Sequence, residues 1–179
     1  MIVLMGAAGA GKSIQGHQLA DEYGYAYIST GEVFRVLITG RRRNEMLEGK
    51  LLSDGEVIRM VDRILDFIDT KEQFILDGFP RTKPQVDWLL MQHEAGRFEL
   101  PVVVNLEVSE DVVRKRLQQR GRLDDNDTAI AQRHSDYQAV TRPLLQYMQD
   151  KEIQILEVDA GGSPAEVHER IAKALGIGK

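Results

Sequence analysis

The sequence of 179 residues contains no cysteine and a single tryptophan. Without cysteine there is no disulfide bond, no cysteine-ligated zinc or iron–sulfur centre, and no cysteine nucleophile. No apolar run approaches the roughly 18 residues needed to span a bilayer. The apolar run at residues 1–5 has no basic flank and is too short for the core of a signal peptide. These absences predict a cytoplasmic protein with no membrane partner.

Basic residues are also in the minority. There are 23 Lys and Arg against 28 Asp and Glu, giving a net charge of -5. Surfaces that bind nucleic acid or anionic lipid are normally basic, so no nucleic-acid partner is expected. One stretch differs, because residues 114–122 include five basic residues and no acidic one. The length and the 42% of hydrophobic residues are typical of one globular domain.

Short apolar runs alternate with longer segments of helical period. Several of the runs are apolar at successive positions, which predicts strands buried on both faces, as in a parallel sheet covered by helices. A helix is predicted over residues 57–68, and further helix starts at Ser109 and at Ser163 followed by Pro164. The alternation predicts an α/β fold with three layers, α/β/α, whose ligand lies beyond the carboxyl ends of the strands. The five predicted parallel strands are residues 2–5, 25–28, 74–76, 102–106 and 153–158.

A glycine-rich motif follows the first predicted strand. Residues 6–13, here called the phosphate loop, read GAAGAGKS and match G-x-x-x-x-G-K-[ST] at every fixed position. Its glycines let backbone N–H groups turn inward to phosphate oxygens, and the following helix adds its N-terminal dipole. In this motif Lys12 reaches the β- and γ-phosphates and the Ser13 hydroxyl contacts Mg²⁺. The alternative, a strand-to-helix turn with a solvated Lys12, is disfavoured because a strand precedes the motif and a helix follows it.

Asp77 ends the third predicted strand. An acidic residue at the end of a buried strand beside a phosphate loop is placed to hold Mg²⁺, directly or through water. Taken alone, Asp77 before Gly78 would be interpreted as a turn or helix-capping residue. With the phosphate loop present, the magnesium role is favoured. The sequence therefore predicts Mg²⁺, and no zinc, at a nucleotide site that includes Ser13 and Asp77.

The order of the motifs resembles that of the adenylate kinases, a family of P-loop nucleoside-monophosphate kinases, over nearly the whole chain. Residues 28–35 (ISTGEVFR) are similar to the family's monophosphate-binding segment. Residues 77–82 (DGFPRT), followed by Gln85, are close to a family signature, and residues 122–143 resemble the lid and the helix after it. The resemblance implies a monomeric, Mg²⁺-dependent enzyme that converts ATP and AMP into two ADP.

The resemblance also implies residue roles. Arg35 and Arg81 would bind the AMP phosphate with the bidentate geometry of a guanidinium group, and Gln85 would contact adenine through its adjacent donor and acceptor. The implied ATP contacts are Gly9, Ala10, Gly11, Lys12, Ser13, Ile14, Arg116, Arg120 and Gly162. The implied AMP contacts are Thr30, Arg35, Lys50, Leu51, Leu52, Gly78, Phe79, Pro80, Arg81, Gln85, Arg122 and Arg133. The implied catalytic residues are Lys12, Asp77, Arg120, Arg122 and Arg133.

The resemblance further implies a single P-loop kinase domain, residues 1–179, with two short insertions. The core would comprise residues 1–30, 54–119 and 127–179, with an AMP-binding arm at 31–53 and a lid at 120–126. A short lid would seal the site less well, so a side reaction of ATP hydrolysis is predicted.

The chain departs from the family pattern at a few positions, and several alternatives remain open. Ala8 replaces the usual proline of the phosphate loop, Ser13-Ile14 replaces Gly-Thr, and Glu32 replaces an aspartate. Arg116 and Arg120 are one helical turn apart, so a solvated helix face is the alternative to ligand contact. The alternative functions are a kinase of the same fold acting on UMP or CMP, and a nucleotide-binding regulator with weak activity. A nucleic-acid-processing P-loop protein is disfavoured by the acidic net charge.

Overall fold

The five predicted strands form one parallel sheet. The computed structural model describes residues 1–39, 44, 52–120 and 127–177. The strands are β1 (Ile2–Gly6), β2 (Ala26–Ser29), β3 (Phe74–Asp77), β4 (Val102–Glu107) and β5 (Gln154–Asp159). They pair in the order β2-β3-β1-β4-β5, and every pairing is parallel. The three-layer α/β prediction is confirmed, and each predicted strand end differs from the observed end by at most one residue.

Helices cover both faces of this sheet. The described α-helices are α1 (Lys12–Tyr23), α2 (Thr30–Leu37), α3 (Asp54–Leu65), α4 (Lys83–Glu94), α5 (Glu110–Arg120), α6 (Asp127–Asp136), α7 (Arg142–Gln149) and α8 (Pro164–Leu175). Alternate residues of the central strand face opposite layers, as a strand requires. Val3 and Met5 lie in one apolar cluster with helices α3, α4 and α7, whereas Ile2 and Leu4 lie in a second cluster with α1 and α8.

Helix α3 starts three residues earlier than the apolar period predicts. Ser53 is its N-cap and forms a capping box with Glu56, which satisfies backbone groups ahead of the first apolar residue. Its bounds are Asp54–Leu65 rather than 57–68, and Ile68 packs against the core from the turn that follows. The other predicted starts are confirmed, since α5 begins at Glu110 and α8 at Pro164.

The strand order places the site. The chain leaves β1 for β2 on one side and later returns to β4 on the other, so the connections diverge above the end of β1. In parallel α/β sheets such a switch point forms a crevice at the carboxyl ends of the strands. The phosphate loop follows β1, and Asp77 ends the adjacent strand β3, in register with Leu4.

Candidate active site

The phosphate loop curls tightly between β1 and α1. Gly6, Gly9 and Gly11 have φ angles of 135°, 85° and 104°, which side chains other than glycine rarely adopt. A Cβ on Gly6 would lie 2.7 Å from the carbonyl oxygen of Leu106, so no other residue fits there without a shift. Lys12 Nζ donates to the carbonyl oxygens of Gly6 and Ala7 at 2.8 Å each, which sets its charge over the loop. The loop has the geometry that the motif predicts.

Asp77 is the buried acidic group of the site, with 4% of its surface exposed. Its Oδ2 atom accepts hydrogen bonds from Ser13 Oγ at 3.0 Å, Tyr27 Oη at 2.9 Å and Ser29 Oγ at 3.4 Å. No described residue donates to Oδ1, and Asp77 lines the cleft. Three hydroxyls from α1 and β2 therefore hold one carboxylate oxygen in place beside the phosphate loop.

Tyr27 is a site residue that the sequence reasoning missed. Burial, and then the charge of Asp77, raise the pKa of its phenol well above the ordinary value of 10. Its ring lies where a side chain on Gly16 would be, since a Cβ there would come within 2.2 Å of Tyr27 Cε2. The sequence shows a tyrosine in a predicted strand and a glycine in a predicted helix, but nothing in it indicates that the two residues pack together.

Ser13 and Asp77 fit a magnesium ion. A hydroxyl oxygen and a carboxylate are hard donors of the kind that Mg²⁺ prefers, and this ion keeps several waters beside a few protein ligands. Within the described residues, no group of three or more His, Cys, Asp or Glu could hold a metal ion by itself. The pair therefore suits an ion that arrives with phosphates rather than a dedicated metal cage.

The end of β3 and the start of α2 form the other half of the cleft. Thr30 Oγ1 donates to the carbonyl oxygen of Asp77 at 3.2 Å, and a Cβ on Gly78 would lie 2.6 Å from Thr30 Oγ1. Arg81 Nε donates to the carbonyl oxygen of Gly78 at 2.8 Å. Arg35 and Arg81 both line the cleft.

Gln85 is almost fully buried, with 3% of its surface exposed, yet it lines the cleft. Its Oε1 accepts from the backbone N–H of Arg81 at 2.7 Å, and its Nε2 donates to Asp54 Oδ1 at 2.8 Å. Asp54 also accepts from Thr82 Oγ1 at 2.6 Å. Asp54 was not among the sequence predictions, because its link to Gln85 depends on how α3 and α4 pack.

Arg116 joins the phosphate loop to the loop after β5. Its guanidinium donates to the carbonyl oxygens of Ala10 at 3.4 Å and of Ala160 and Gly162 at 3.0 Å each. Arg116 and Gly162, which the sequence reasoning assigned to the same nucleotide, are thus in direct contact. The contact also holds Arg116 against the cleft rather than on a solvated helix face.

One cleft of about 640 Å³ unites these groups. Thr30 is buried and is not among its lining residues. The Phe79 side chain is buried in the core, where it packs edge-to-face on Trp88 with the ring centroids 5.7 Å apart. Phe79 therefore offers only backbone to a ligand. The predicted site residues that line the cleft are Gly9, Ala10, Gly11, Lys12, Ser13, Ile14, Arg35, Leu52, Asp77, Gly78, Pro80, Arg81, Gln85, Arg116 and Gly162.

Five predicted site residues cannot be placed. Lys50, Leu51 and Arg122 lie outside the described residues, and so do the side chains of Arg120 and Arg133. Arg120 is the last residue of α5, and Arg133 lies within α6.

Comparison with known proteins assigns the family. A family model described as adenylate kinase matches residues 4–153. The chain is 41% identical to the adenylate kinase of Corynebacterium glutamicum (strain R), over 98% of each chain. It is 39% identical to that of Corynebacterium urealyticum, over 97% of this chain and 98% of the relative, and 37% identical to that of Mycobacterium tuberculosis, over 98% of each. The phosphate loop, the buried Asp77 and the pair Arg35 and Arg81 line one cleft, which agrees with this match. The chain belongs to the adenylate kinase family.

Proposed function

We propose that the protein catalyses reversible phosphoryl transfer from ATP to AMP, with Mg²⁺, to give two ADP. The observation that carries this proposal is the single cleft that runs from the phosphate loop to the pocket of Arg35, Arg81 and Gln85. A cleft with one phosphate site would suit an ATPase. One cleft lined by the phosphate loop and also by Arg35 and Arg81 suits transfer from one nucleotide to another.

The charge of the cleft fits this reaction. Among its described lining residues, four are cationic and two are acidic, the acidic ones being Asp77 and Asp136. ATP and AMP together bring several negative charges, which spread over the transferred group in the transition state. Guanidinium groups can hold phosphate oxygens in bidentate pairs. The four cationic lining residues are Lys12, Arg35, Arg81 and Arg116.

The chemistry needs no general base. The attacking oxygen belongs to the AMP phosphate, which is already anionic, and it forms the new P–O bond while the bond between the γ-phosphorus and the departing ADP breaks. The protein's contribution is in-line positioning and stabilisation of developing charge. Mg²⁺ bound with ATP supplies further charge neutralisation on the phosphates. Ser13 and Asp77 are the residues that would hold it.

The roles implied by the family resemblance are part of this proposal. Lys12 and the phosphate loop bind the ATP phosphates, Arg116 and the backbone at Gly162 flank the ATP base, and Arg35 and Arg81 bind the AMP phosphate. Residues 31–53 form the AMP-binding arm and residues 120–126 the lid, carried on a core of 1–30, 54–119 and 127–179. Arg120, Arg122 and Arg133 close over the transferred group.

The protein is proposed to act as a cytoplasmic monomer whose partners are ATP, AMP and ADP. None of the described helices is long and apolar enough to cross a membrane. Size-exclusion chromatography with light scattering, with and without nucleotides, measures the oligomeric state directly.

The test of the proposed function is ADP formation from ATP and AMP by the wild type and by Arg81→Ala. The variant should lose most of its activity, at least about 100-fold in kcat/KM for AMP, because it loses a charged contact made to the phosphate. Its affinity for ATP should persist. Arg63→Ala is the matched control, since Arg63 is exposed on α3 and does not line the cleft.

The outcome that would contradict the proposal is full activity in Arg81→Ala, which removes the AMP-site assignment. A panel of AMP, UMP and CMP as acceptors decides between the proposed reaction and its closest alternative. Preference for UMP or CMP would make the protein a different nucleoside-monophosphate kinase of the same fold.

A further inference from the structure

The amide of Gln85 has one orientation. A backbone N–H can only donate, and a carboxylate can only accept. Because Arg81 N–H meets one end of the amide and Asp54 Oδ1 the other, the first end must be the oxygen and the second the nitrogen. Turning the amide over would place two donors together at Arg81 and two acceptors together at Asp54. Gln85 itself has only 3% of its surface exposed, so its amide has little access to water that could compensate for such a mismatch.

Asp54 can serve this purpose because another residue caps its helix. Ser53 and Glu56 form the capping box of α3, so the carboxylate of Asp54 in the first turn is directed to α4. There its Oδ1 accepts from both Thr82 and Gln85. The start of α4 thus holds the carboxylate that the first turn of α3 supplies.

The remaining hydrogen-bonding capacity of Gln85 selects a particular arrangement of donor and acceptor on the nucleotide base. After its two protein contacts, Nε2 keeps one N–H and Oε1 keeps one lone pair, on a residue that lines the cleft. A 6-aminopurine offers the complementary pair, an acceptor at N1 and a donor at the 6-amino group. A 6-oxopurine offers the reverse, a donor at N1 and an acceptor at O6.

We propose that Asp54 is a specificity-determining positioning residue: it fixes the Gln85 amide in the orientation that accepts a 6-aminopurine monophosphate and rejects a 6-oxopurine monophosphate. The inference rests on the proposed function, because it takes Gln85 to face the acceptor nucleotide. Asp54 acts through Gln85 and need not touch the base itself.

The experiment measures kcat/KM for AMP and for inosine 5′-monophosphate, which reverses the pattern at N1 and at the 6-position of the base. The wild type should prefer AMP by at least about 100-fold, because the wrong base leaves buried polar groups unpaired. Asp54→Ala releases one end of the amide, so the AMP-to-IMP ratio should fall at least about fivefold. Thr82→Val is the matched control. It removes the other hydrogen bond to Asp54 Oδ1 but leaves Gln85 held, so its ratio should stay within about twofold of the wild type.

A second variant separates the effect of Asp54 on base specificity from its effect on folding. Asp54→Asn keeps the shape of the side chain but offers both a donor and an acceptor, so it tolerates both amide orientations. Its ratio should fall at least about threefold. Calorimetric dissociation constants for the two monophosphates provide a reading that does not depend on turnover.

The outcomes separate the two proposals. Loss of stability alone would lower the rates for both monophosphates together and leave the ratio unchanged. An unchanged ratio in active Asp54 variants therefore overturns the role of Asp54 while the proposed reaction stands. A wild type that forms no ADP from ATP and AMP overturns the proposed function itself.

Discussion

Tyr27 connects a strand, a helix and the acidic group of the site. Its hydroxyl donates to Asp77 Oδ2, and its ring packs at 4.4 Å, centroid to centroid, against His17 on α1. Burial raises the pKa of Tyr27, so the folded protein keeps the phenolic proton at a pH where the unfolded chain loses it near 10. Rising pH therefore favours the unfolded state, and the stability that this proton supports is present below pH 10 and declines above it.

Replacing Tyr27 by Phe tests this linkage. At neutral pH the variant should lose about 1–3 kcal/mol of unfolding free energy, because a buried carboxylate loses one donor. Above about pH 10 its stability should fall less steeply with pH than that of the wild type. Urea unfolding from pH 7 to pH 11 gives both quantities, with Tyr25→Phe as the nearby comparison at pH 7. Parallel curves for wild type and Tyr27→Phe above pH 10 would refute the linkage.

At the scale of single residues, the sequence predicts the members of a local motif better than it predicts contacts between residues that are far apart in the chain. The phosphate loop and Asp77 are predictable because a local pattern carries their chemistry. Tyr27 and Asp54 are not, since each acts on a residue far along the chain, Asp77 and Gln85 respectively. Those contacts exist only once two elements have packed at a particular distance.

Helix α1 approaches β2 closely because Gly16 has no side chain. A Cβ at Gly16 would meet three atoms of the Tyr27 ring, the nearest at 2.2 Å. Such an overlap requires the ring or the helix to shift. The distance between α1 and β2 thus controls how Tyr27 reaches Asp77.

Gly16→Ala should therefore destabilise the protein by about 1–3 kcal/mol, although alanine favours helix formation. Gly55→Ala is the matched control inside α3, where the nearest atom is the flexible end of Arg59 at 3.4 Å. That change should be neutral or stabilising by up to about 1 kcal/mol. Urea midpoints compare the two variants. Equal effects of the two substitutions would contradict the packing argument.

The elements themselves are mostly predictable, and their exceptions have local causes. The strands follow from continuous apolar runs, whereas the start of α3 depends on the Ser53–Glu56 capping box rather than on apolar period. The π-helical turn at Tyr137–Thr141 precedes Pro143, which cannot donate to the helix and crowds the carbonyl four residues back. Proline signals an interruption, but the form of the interruption depends on packing.

Across the whole molecule, the net charge of -5 conceals a cationic cleft. Lys12, Arg35, Arg81 and Arg116 are far apart in the chain and line one cavity. Helix α5 ends at Arg120 and α6 begins at Asp127, so six residues separate the two helices in the chain. The lid proposed at residues 120–126 is therefore short, and a short lid would seal the site less well.

The wild type should consequently hydrolyse ATP slowly when AMP is absent, since water reaches the γ-phosphate in an imperfectly sealed site. Phosphate release with Mg²⁺-ATP alone, measured beside the kinase rate, tests this. Lys12→Ala is the control that accounts for contaminating ATPases, because it lacks the cation of the phosphate loop. Hydrolysis no faster in the wild type than in that control would show that the site is sealed.

The strand order also determines when the partners of β1 become available during biosynthesis. Ile2 of the central strand pairs with Ile75 on one side and with Val102 on the other, so β1 leaves the ribosome long before either neighbour. Pairings at such sequence separation slow folding, since a large loop must close before they form. A nascent chain that ends before β3 carries the phosphate loop but has no Asp77 to place beside it. The first motif to be translated is thus assembled into a site only after much of the chain has followed it.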